Sequence, residues 1–417
     1  MKKITVLFLL FCLATIPFTS LIAQIIPGAD RPEKYLPLLK GKRIGVFANH
    51  TSVVGDMHLV DFLIKNNIKV TKAFGPEHGF RGKADAGEKI DNYIDSETGI
   101  PVISLYGKKR RPSTEDLADV DILLFDIQDV GVRFYTFISS LEEYMIAAFE
   151  NKKPLIILDR PNPNGFYVDG PVLDMDYKSF VGMKPVPIVY GMTIAEYAIM
   201  LAGEKWLTPK ANEQWEYYKY AQSSTDTAFH FQVIKCANYT HKSLYELPVK
   251  PSPNLPHIQS IYWYPTTCFF EGTVLSEGRG TDHPFCIFGH PSIAATNKFA
   301  FTPTSRDGAK EPKLKNQLSY GWNLFTDAAA VKKEVNGKIQ VKYILEAYQA
   351  FPDKANFFLK PKSGKPTDFF FNKLAGNSEL MQQIIEGKTE AEIRASWQEK
   401  LEKFKRIRKY YLLYEDF

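Results

Sequence analysis

The sequence predicts an α/β fold, with a doubly wound parallel sheet in the first half of the chain and a smaller α+β region after it. Short apolar runs alternate with helical patterns along the first half, as strand–helix–strand units require. The runs at 121–125 (DILLF) and 155–158 (LIIL) are almost wholly apolar, which is typical of strands covered on both faces. The chain has 417 residues, of which 45% are hydrophobic, and this is enough material for two cores.

The elements of the first region follow from hydrophobic periodicity. Helices are predicted over 59–64, 138–149 and 193–207, and Thr193 followed by Glu196 forms a capping box for the third of them. Strands are predicted over 43–48, 68–74, 102–106, 121–126 and 155–159. The first region is therefore expected to span 24–210.

The second region is expected to span 211–417 and to complete a cleft against the first. It combines a strand pattern at 229–236, a proline-rich passage at 251–256 and a short strand pattern at 286–288. A long helix is predicted from about residue 390 to 413, with its capping box and its apolar face formed by Thr389, Glu392, Ile393, Trp397, Leu401 and Phe404.

The first 23 residues are typical of a secretory signal peptide. Lys2 and Lys3 precede an apolar run at 4–16, and the segment ends at Ala23 with a plausible cleavage site. We therefore expect an exported protein, periplasmic or secreted, and no later run is long enough to predict a membrane span.

Cysteine and charge content exclude some classes of site. Three cysteines remain after Ala23, none with CxxC spacing, so we expect buried free thiols, with one disulfide as the alternative, and no cysteine-based zinc site. The formal charge of +5 is mild, and the basic run at 403–409 fits a solvated helix face, so no nucleic-acid partner is predicted.

Polar side chains follow four of the predicted strands. They occur at 49–51 (NHT), 75–79 (GPEHG), 126–129 (DIQD) and 159–162 (DRPN). Ligands of open parallel sheets bind beyond the carboxyl ends of the strands, so these segments predict a polar site at one edge of the sheet. No GxGxxG motif follows the first strand, so a dinucleotide cofactor is not predicted.

Glu77 is the leading catalytic candidate at this edge. Pro76 restricts the loop, and glycines on both sides allow unusual backbone conformations that would fix the carboxylate. Phe74 and Phe80 are expected to shield it from water and favour the protonated form that a general acid needs. The alternative is a structural carboxylate that caps the loop or pairs with Arg81.

The loop at 126–136 is the densest polar stretch. Asp126 or Asp129 could supply the second carboxylate that glycosidases usually need, and Gln128 and Tyr135 could bind sugar hydroxyls. The alternative is a hydrogen-bonded loop that locks the sheet, with Asp126 satisfied by backbone N–H groups.

Three arginines are candidates for binding a ligand carboxylate. The guanidinium groups of Arg133, Arg160 and Arg279 are planar forks that match a carboxylate, although structural ion pairs are the alternative for each. Arg279 lies in a glycine-rich loop at 276–282, and Glu271 is a further acid nearby. Neither HExxH nor GxSxG occurs, so neither a metal site nor a serine nucleophile is predicted.

These motifs, in this order and spacing, resemble the NamZ-type exo-β-N-acetylmuramidases, glycoside hydrolase family 171. The resemblance runs from about residue 30 to the C-terminus. It is carried by 49–51 (NHT), 76–80 (PEHGF), 126–136 (DIQDVGVRFYT), 159–163 (DRPNP), 190–193 (YGMT), 253–256 (PNLP), 271–273 (EGT) and 278–281 (GRGT).

The resemblance implies a Rossmann-like N-terminal domain with a smaller C-terminal domain, and release of terminal N-acetylmuramic acid from the non-reducing end of peptidoglycan fragments. It places the family's proposed catalytic glutamate on Glu77. His78 would then position Glu77 or bind a hydroxyl, and an acid of the 126–129 loop, Asp126 first, would assist. The 2-acetamido group of the substrate is the alternative nucleophile.

The implied partners are peptidoglycan-derived muramyl saccharides, with no cofactor. Two other functions stay open at this point: a cell-wall esterase or amidase, and a non-catalytic protein that binds muropeptides. The candidate substrate-binding residues are Asn49, His50, Gln128, Asp129, Arg133, Tyr135, Arg160, Asn162, Asn254, Glu271 and Arg279.

Overall fold

A computed structural model of the chain describes residues 23–77, 79–82, 91–223, 230–296 and 298–417. A seven-stranded sheet in the order β5-β6-β4-β1-β7-β8-β9 organises the first region. Its strands are parallel except for the edge strand β5. They are β1 (Arg43–Ala48), β4 (Lys69–Gly75), β5 (Tyr93–Ile94), β6 (Pro101–Ser104), β7 (Ile122–Asp126), β8 (Leu155–Leu158) and β9 (Phe231–Ile234), while β2 (Val53–Val54) and β3 (Met57–His58) form a small hairpin. The predicted α/β fold is confirmed.

The central strands are apolar because both of their faces are buried. Every residue of β7 and β8 is buried, and Phe47 of β1 stacks on Phe125 of β7 at 4.9 Å between ring centroids. Two clusters of buried side chains lie on the two faces of the sheet. Burying such side chains supplies the main driving force for this layer, at about 1.5–3 kcal/mol for each large one.

The described residues contain eleven α-helices. The predicted capping boxes at Thr193 and Thr389 are both present. The helices are α1 (Pro32–Leu39), α2 (Leu59–Lys65), α3 (Phe137–Glu150), α4 (Ile194–Gly203), α5 (Pro209–Ser223), α6 (Ile258–Thr267), α7 (Ala328–Val335), α8 (Lys342–Ala350), α9 (Phe370–Ala375), α10 (Glu379–Ile385) and α11 (Glu390–Arg408).

Two helices end earlier than the periodicity predicts. Helix α4 stops at Gly203, and two residues later Lys205 takes a left-handed conformation that no α-helix can continue through. Helix α11 stops at Arg408, whose guanidinium binds the Gly191 carbonyl and the Asp416 carboxylate and so holds the chain end against the first region.

Strand β9 was predicted in the second region, and its pairing places it in the first. It lies parallel to β8, with Leu155 opposite Phe231. Hydrophobic periodicity indicates a strand but does not say which sheet the strand joins, which is why the sequence did not predict its pairing with β8.

The second region contains a three-stranded antiparallel sheet in the order β10-β12-β11. Its strands are β10 (Ile287–His290), β11 (Phe299–Phe301) and β12 (Ser319–Asn323), with helices α6 to α11 around them. The C-terminal segment returns to the first region, where the Tyr414 hydroxyl donates to Asp159 at 2.6 Å.

Cys236, Cys268 and Cys286 are free and buried, as expected. Within the described ranges, no helix has the length and apolar character needed to cross a membrane.

Candidate active site

A cavity opens where the carboxyl edge of the sheet meets loops of the second region. It has a volume of about 70 Å³. Glu77 is the one acid among the described residues that line it. The lining comprises Glu77, Phe134, Tyr135, Thr136, Phe137, Ser252, Asn254, Leu255, Tyr264, Arg279 and Phe285.

Glu77 is held by the turn that follows β4. Gly79 has φ of +76°, which favours glycine, and a Cβ on Gly75 would make a tight contact of 3.0 Å with the Phe80 nitrogen. The Tyr106 hydroxyl donates a hydrogen bond of 2.9 Å to Glu77 Oε1. Burial and the neighbouring Glu77 raise the pKa of Tyr106, so its hydroxyl stays protonated and remains a donor.

The residues that shield Glu77 differ from those expected. Phe74 and Phe80 belong to the two cores on opposite faces of the sheet. The apolar lining of the cavity comes instead from phenylalanines 134, 137 and 285 and from a leucine at 255. The alternative pairing of Glu77 with Arg81 is not formed, because Arg81 binds Asp61 at 3.0 Å and Asp95 at 2.8 Å. His78 lies outside the described residues.

Asp126 is fully buried at the end of β7 and does not line the cavity. Arg160 binds both of its oxygens, from Nε to Oδ1 at 2.5 Å and from Nη2 to Oδ2 at 2.8 Å. This geometry favours the alternative in which the loop locks the sheet, although a guanidinium rather than backbone N–H groups satisfies the carboxylate. The Arg160 guanidinium therefore binds Asp126 inside the protein, and it is not among the groups that line the cavity.

Asp129 is buried but only partly satisfied. Its Oδ2 accepts from the Gly131 N–H at 2.6 Å and from the Tyr190 hydroxyl. Its Oδ1 has no hydrogen-bond partner within the described residues. Burial raises the pKa of Asp129 to about 6. Gln128 is different, because its side-chain N–H groups donate to the carbonyls of Asp129 and Pro161.

Arg133 is fully buried and bound to backbone. Its Nη1 donates to the carbonyls of Pro171 and Val186, and its Nη2 donates to that of Leu374. Burial lowers the pKa of Arg133 to about 9. Of the three candidate arginines, Arg279 alone lines the cavity.

Arg279 is already paired with two carboxylates. Its Nη2 lies 2.6 Å from Glu271 Oε1 and its Nε lies 3.3 Å from Glu277 Oε1. Its guanidinium also lies over the ring of Phe285, 5.0 Å from the centroid. Although burial opposes ionisation, the two glutamates raise the pKa of Arg279 above its ordinary value.

Of the remaining candidates for substrate binding, two line the cavity and three do not. Tyr135 and Asn254 line the cavity, where the Tyr135 hydroxyl donates to the Pro251 carbonyl at 2.6 Å and Asn254 Nδ2 donates to the Gly308 carbonyl at 2.8 Å. Asn49 and Asn162 are buried, where Asn49 accepts from Thr51 and Asn162 donates to the Met192 carbonyl. His50 is partly buried and is not among the lining residues, and its Nε2 lies 2.8 Å from the Lys250 carbonyl.

Sequence reasoning missed several residues of the site. Tyr106 ends the predicted third strand, so its position at the same edge as Glu77 was a usable signal. Tyr264 on α6 and Phe285 before β10 carried no signal, because only the packing of the second region brings them to Glu77. No set of three His, Cys, Asp or Glu side chains within the described ranges is arranged to hold a metal ion.

Comparison with known proteins gives a consistent result across the chain. Residues 44–259 match the family described as exo-beta-N-acetylmuramidase NamZ, N-terminal, and residues 262–414 match its C-terminal counterpart. The chain is 38% identical over 401 residues to the peptidoglycan beta-N-acetylmuramidase NamZ of Bacillus subtilis, covering 91% of this chain and 89% of that protein.

Two solved structures from Bacteroides fragilis share the fold. Both are described as DUF1343 family proteins. One is 44% identical with a TM-score of 0.81 and covers 95% of this chain and 100% of its own. The other is 28% identical with a TM-score of 0.75 and covers 94% and 99%.

Proposed function

The chain belongs to the NamZ exo-beta-N-acetylmuramidase family, and on that premise we propose that it releases terminal N-acetylmuramic acid from the non-reducing end of peptidoglycan fragments, with Glu77 as the general acid. The broader activity, a glycoside hydrolase acting on peptidoglycan, follows from the identity with the Bacillus subtilis enzyme. The observation that carries the finer proposal is that Glu77 lines a cavity lying between the two regions.

The geometry around Glu77 supports proton donation to a glycosidic oxygen. The Tyr106 hydroxyl binds Oε1 and so fixes the direction of the carboxyl group, and the surrounding phenyl rings exclude water from part of the cavity. A carboxylic acid oriented in this way can protonate the leaving oxygen as the bond to the anomeric carbon breaks.

Within the 126–129 loop, we assign the assisting role to Asp129 rather than to Asp126. Both oxygens of Asp126 are bound by Arg160, whereas Asp129 keeps one oxygen without a partner in the described residues. The charge of Asp129 also acts on Tyr135, which lines the cavity. In this proposal Asp129 acts on the attacking water or on the substrate.

The proposal is tested by incubating the wild-type protein with the muramyl-glucosamine disaccharide and measuring the products by mass. Release of N-acetylmuramic acid and N-acetylglucosamine is expected. A chelator-sensitive reaction that releases no reducing sugar would favour an esterase or amidase instead, and tight binding without turnover would favour a binding protein.

Glu77→Gln tests the role of the acid. We expect turnover of a nitrophenyl β-muramide to fall about 10²- to 10⁴-fold, because the amide cannot donate the proton while it keeps the shape of the side chain. Glu97→Gln is the matched control, since Glu97 is a glutamate that pairs with Arg81 and is not among the residues that line the cavity. Turnover by Glu77→Gln close to that of the control would remove Glu77 from this role.

Export belongs to the same proposal. The signal-like segment at 1–23 lies almost wholly outside the described residues, and the motif supporting it is the positively charged start followed by an apolar run. Mass analysis of the protein recovered from the periplasm or medium is expected to give an N-terminus at Gln24. A cytoplasmic protein with an intact N-terminus would contradict it.

A further inference from the structure

The Arg279 guanidinium on the cavity wall is paired with a carboxylate. Arg279 and Glu271 lie 2.6 Å apart, and their side chains keep 22% and 20% of their surface exposed. Arg279 lines the cavity beside Tyr264, whereas Glu271 is not among the lining residues and lies next to the guanidinium. A donor that lines the cavity and a partly exposed acceptor of opposite charge therefore lie side by side.

A second, buried pair makes the whole cluster neutral. Glu277 is 2% exposed, and it lies 3.3 Å from Arg279 and 2.8 Å from Lys313. Although burial acts to raise it, Lys313 and Arg279 hold the pKa of Glu277 below its ordinary value, so this carboxylate stays ionised. Two cations and two anions leave no net positive charge to attract an anionic ligand.

A neutral donor–acceptor pair matches an amide group. An amide offers a carbonyl oxygen, which accepts from guanidinium N–H, and an N–H group, which donates to a carboxylate. A free carboxylate offers only acceptors, so it would approach Arg279 against the repulsion of Glu271.

We propose that Arg279 and Glu271 together bind an amide of the substrate, with Arg279 donating to the amide oxygen and Glu271 accepting from the amide N–H. The proposal rests on the proposed function, because it concerns the sugar held in the same cavity. Two amides are available on such a substrate: the 2-acetamido group, and the lactyl carbonyl when a peptide is joined to it. Both present the same chemistry to the pair.

The N–H group is tested with neutral ligand pairs that differ in that group alone. Monosaccharide derivatives of N-acetylmuramic acid are titrated into the full-length wild-type protein by calorimetry. In one arm the lactyl methylamide is compared with the lactyl methyl ester, and in the other arm the 2-acetamido group is compared with a 2-acetoxy group. We expect about tenfold tighter binding of the amide in one of the two arms, and that arm identifies the group that is bound.

Variants assign the effect to Glu271. Glu271→Ala should abolish the preference for the amide, and Glu271→Gln, which keeps an acceptor oxygen, should retain part of it. Asp282→Ala is the matched control, because Asp282 lies three residues from Arg279 but pairs with Arg306, and it should keep the full preference.

Two results would overturn the proposal: equal binding of amide and ester by the wild-type protein in both arms, or an unchanged preference for the amide in Glu271→Ala. The wild-type comparison needs no variant, so it decides the matter even if a variant does not fold. Hydrolysis of a nitrophenyl β-muramide is measured separately. If the wild-type protein does not hydrolyse it, the proposed function is contradicted. If it does so but shows no preference for the amide, only this inference is contradicted.

Discussion

The end of β7 and the end of β4 lie at the same edge of one sheet, yet their acids have opposite surroundings. Asp126 is fully buried, and both of its oxygens are bound by Arg160. Glu77 lies on a cavity wall, with the Tyr106 hydroxyl on one oxygen. The two acids have similar intrinsic chemistry, so the difference comes from the partners that the fold brings to each.

The comparison teaches that a polar residue after a parallel strand is a candidate for two roles. At β7 the acid neutralises an arginine from the neighbouring strand end and fixes the spacing of the edge. At β4 the nearby Arg81 binds Asp61 and Asp95, while Glu77 accepts from the Tyr106 hydroxyl and lines the cavity.

The largest effect is expected from breaking the buried pair. Asp126→Ala should lower the free energy of unfolding by about 3–5 kcal/mol, because it leaves the Arg160 guanidinium buried without its counterion. Urea unfolding at constant pH measures this. Asp121→Ala removes a similar but half-exposed partner from Arg43 and should cost about 1 kcal/mol or less. Equal losses of unfolding free energy in Asp126→Ala and Asp121→Ala would contradict the distinction between a buried and a half-exposed ion pair.

Arg133 is a buried cation that binds backbone carbonyls, whereas Arg160 binds a carboxylate. Arg133→Met should destabilise the protein by about 2–4 kcal/mol, because it leaves the carbonyls of Pro171, Val186 and Leu374 without donors in the core. Arg306→Met, at a half-exposed position, is the control. If Arg133 instead bound substrate, the variant would raise KM without lowering the unfolding free energy.

Asp129 is buried like Asp126, but one of its oxygens has no partner within the described residues. Its titration should make the free energy of unfolding depend on pH. Burial raises its pKa to about 6, so the folded state holds a proton that the unfolded chain releases near pH 4. This contribution is complete below about pH 4 and is lost as the pH rises through about 6, and it amounts to at most about 3 kcal/mol. Asp129→Asn should flatten the pH dependence of the unfolding free energy across this window. A difference in unfolding free energy between the wild-type protein and Asp129→Asn that grows with pH across this window would contradict the assignment.

The smallest effect concerns the orientation of Glu77. Tyr106→Phe removes one hydrogen bond to the carboxyl group and should lower kcat about tenfold, with little change in melting temperature because the ring remains. Tyr93→Phe, on the exposed edge strand, should leave kcat unchanged. A large loss of stability without a change in kcat would make Tyr106 a structural residue only.

Much of the fold and part of the site followed from local sequence. The apolar run from Ile122 to Asp126 is a strand because its residues suit burial on both faces, and Glu77 was found because Gly75, Pro76 and Gly79 mark a fixed turn after a strand. The local sequence did not predict that Asp126 is buried while Glu77 lines the cavity. Arg160 is 34 positions from Asp126, and nothing in the spacing tells whether its side chain turns inward or towards a ligand.

The sequence by itself determined five strands and three helices of the first region, the capping boxes at Thr193 and Thr389, and the edge of the sheet at which polar side chains gather, because these depend on periodicity and on contacts between near neighbours. The tertiary structure alone decided that β9 joins the first sheet, that Arg279 rather than Arg133 or Arg160 reaches the cavity, and that Arg279 arrives there already paired with Glu271. Those outcomes depend on ion pairs and packing between distant segments, whose free energies exist only once the chain has folded.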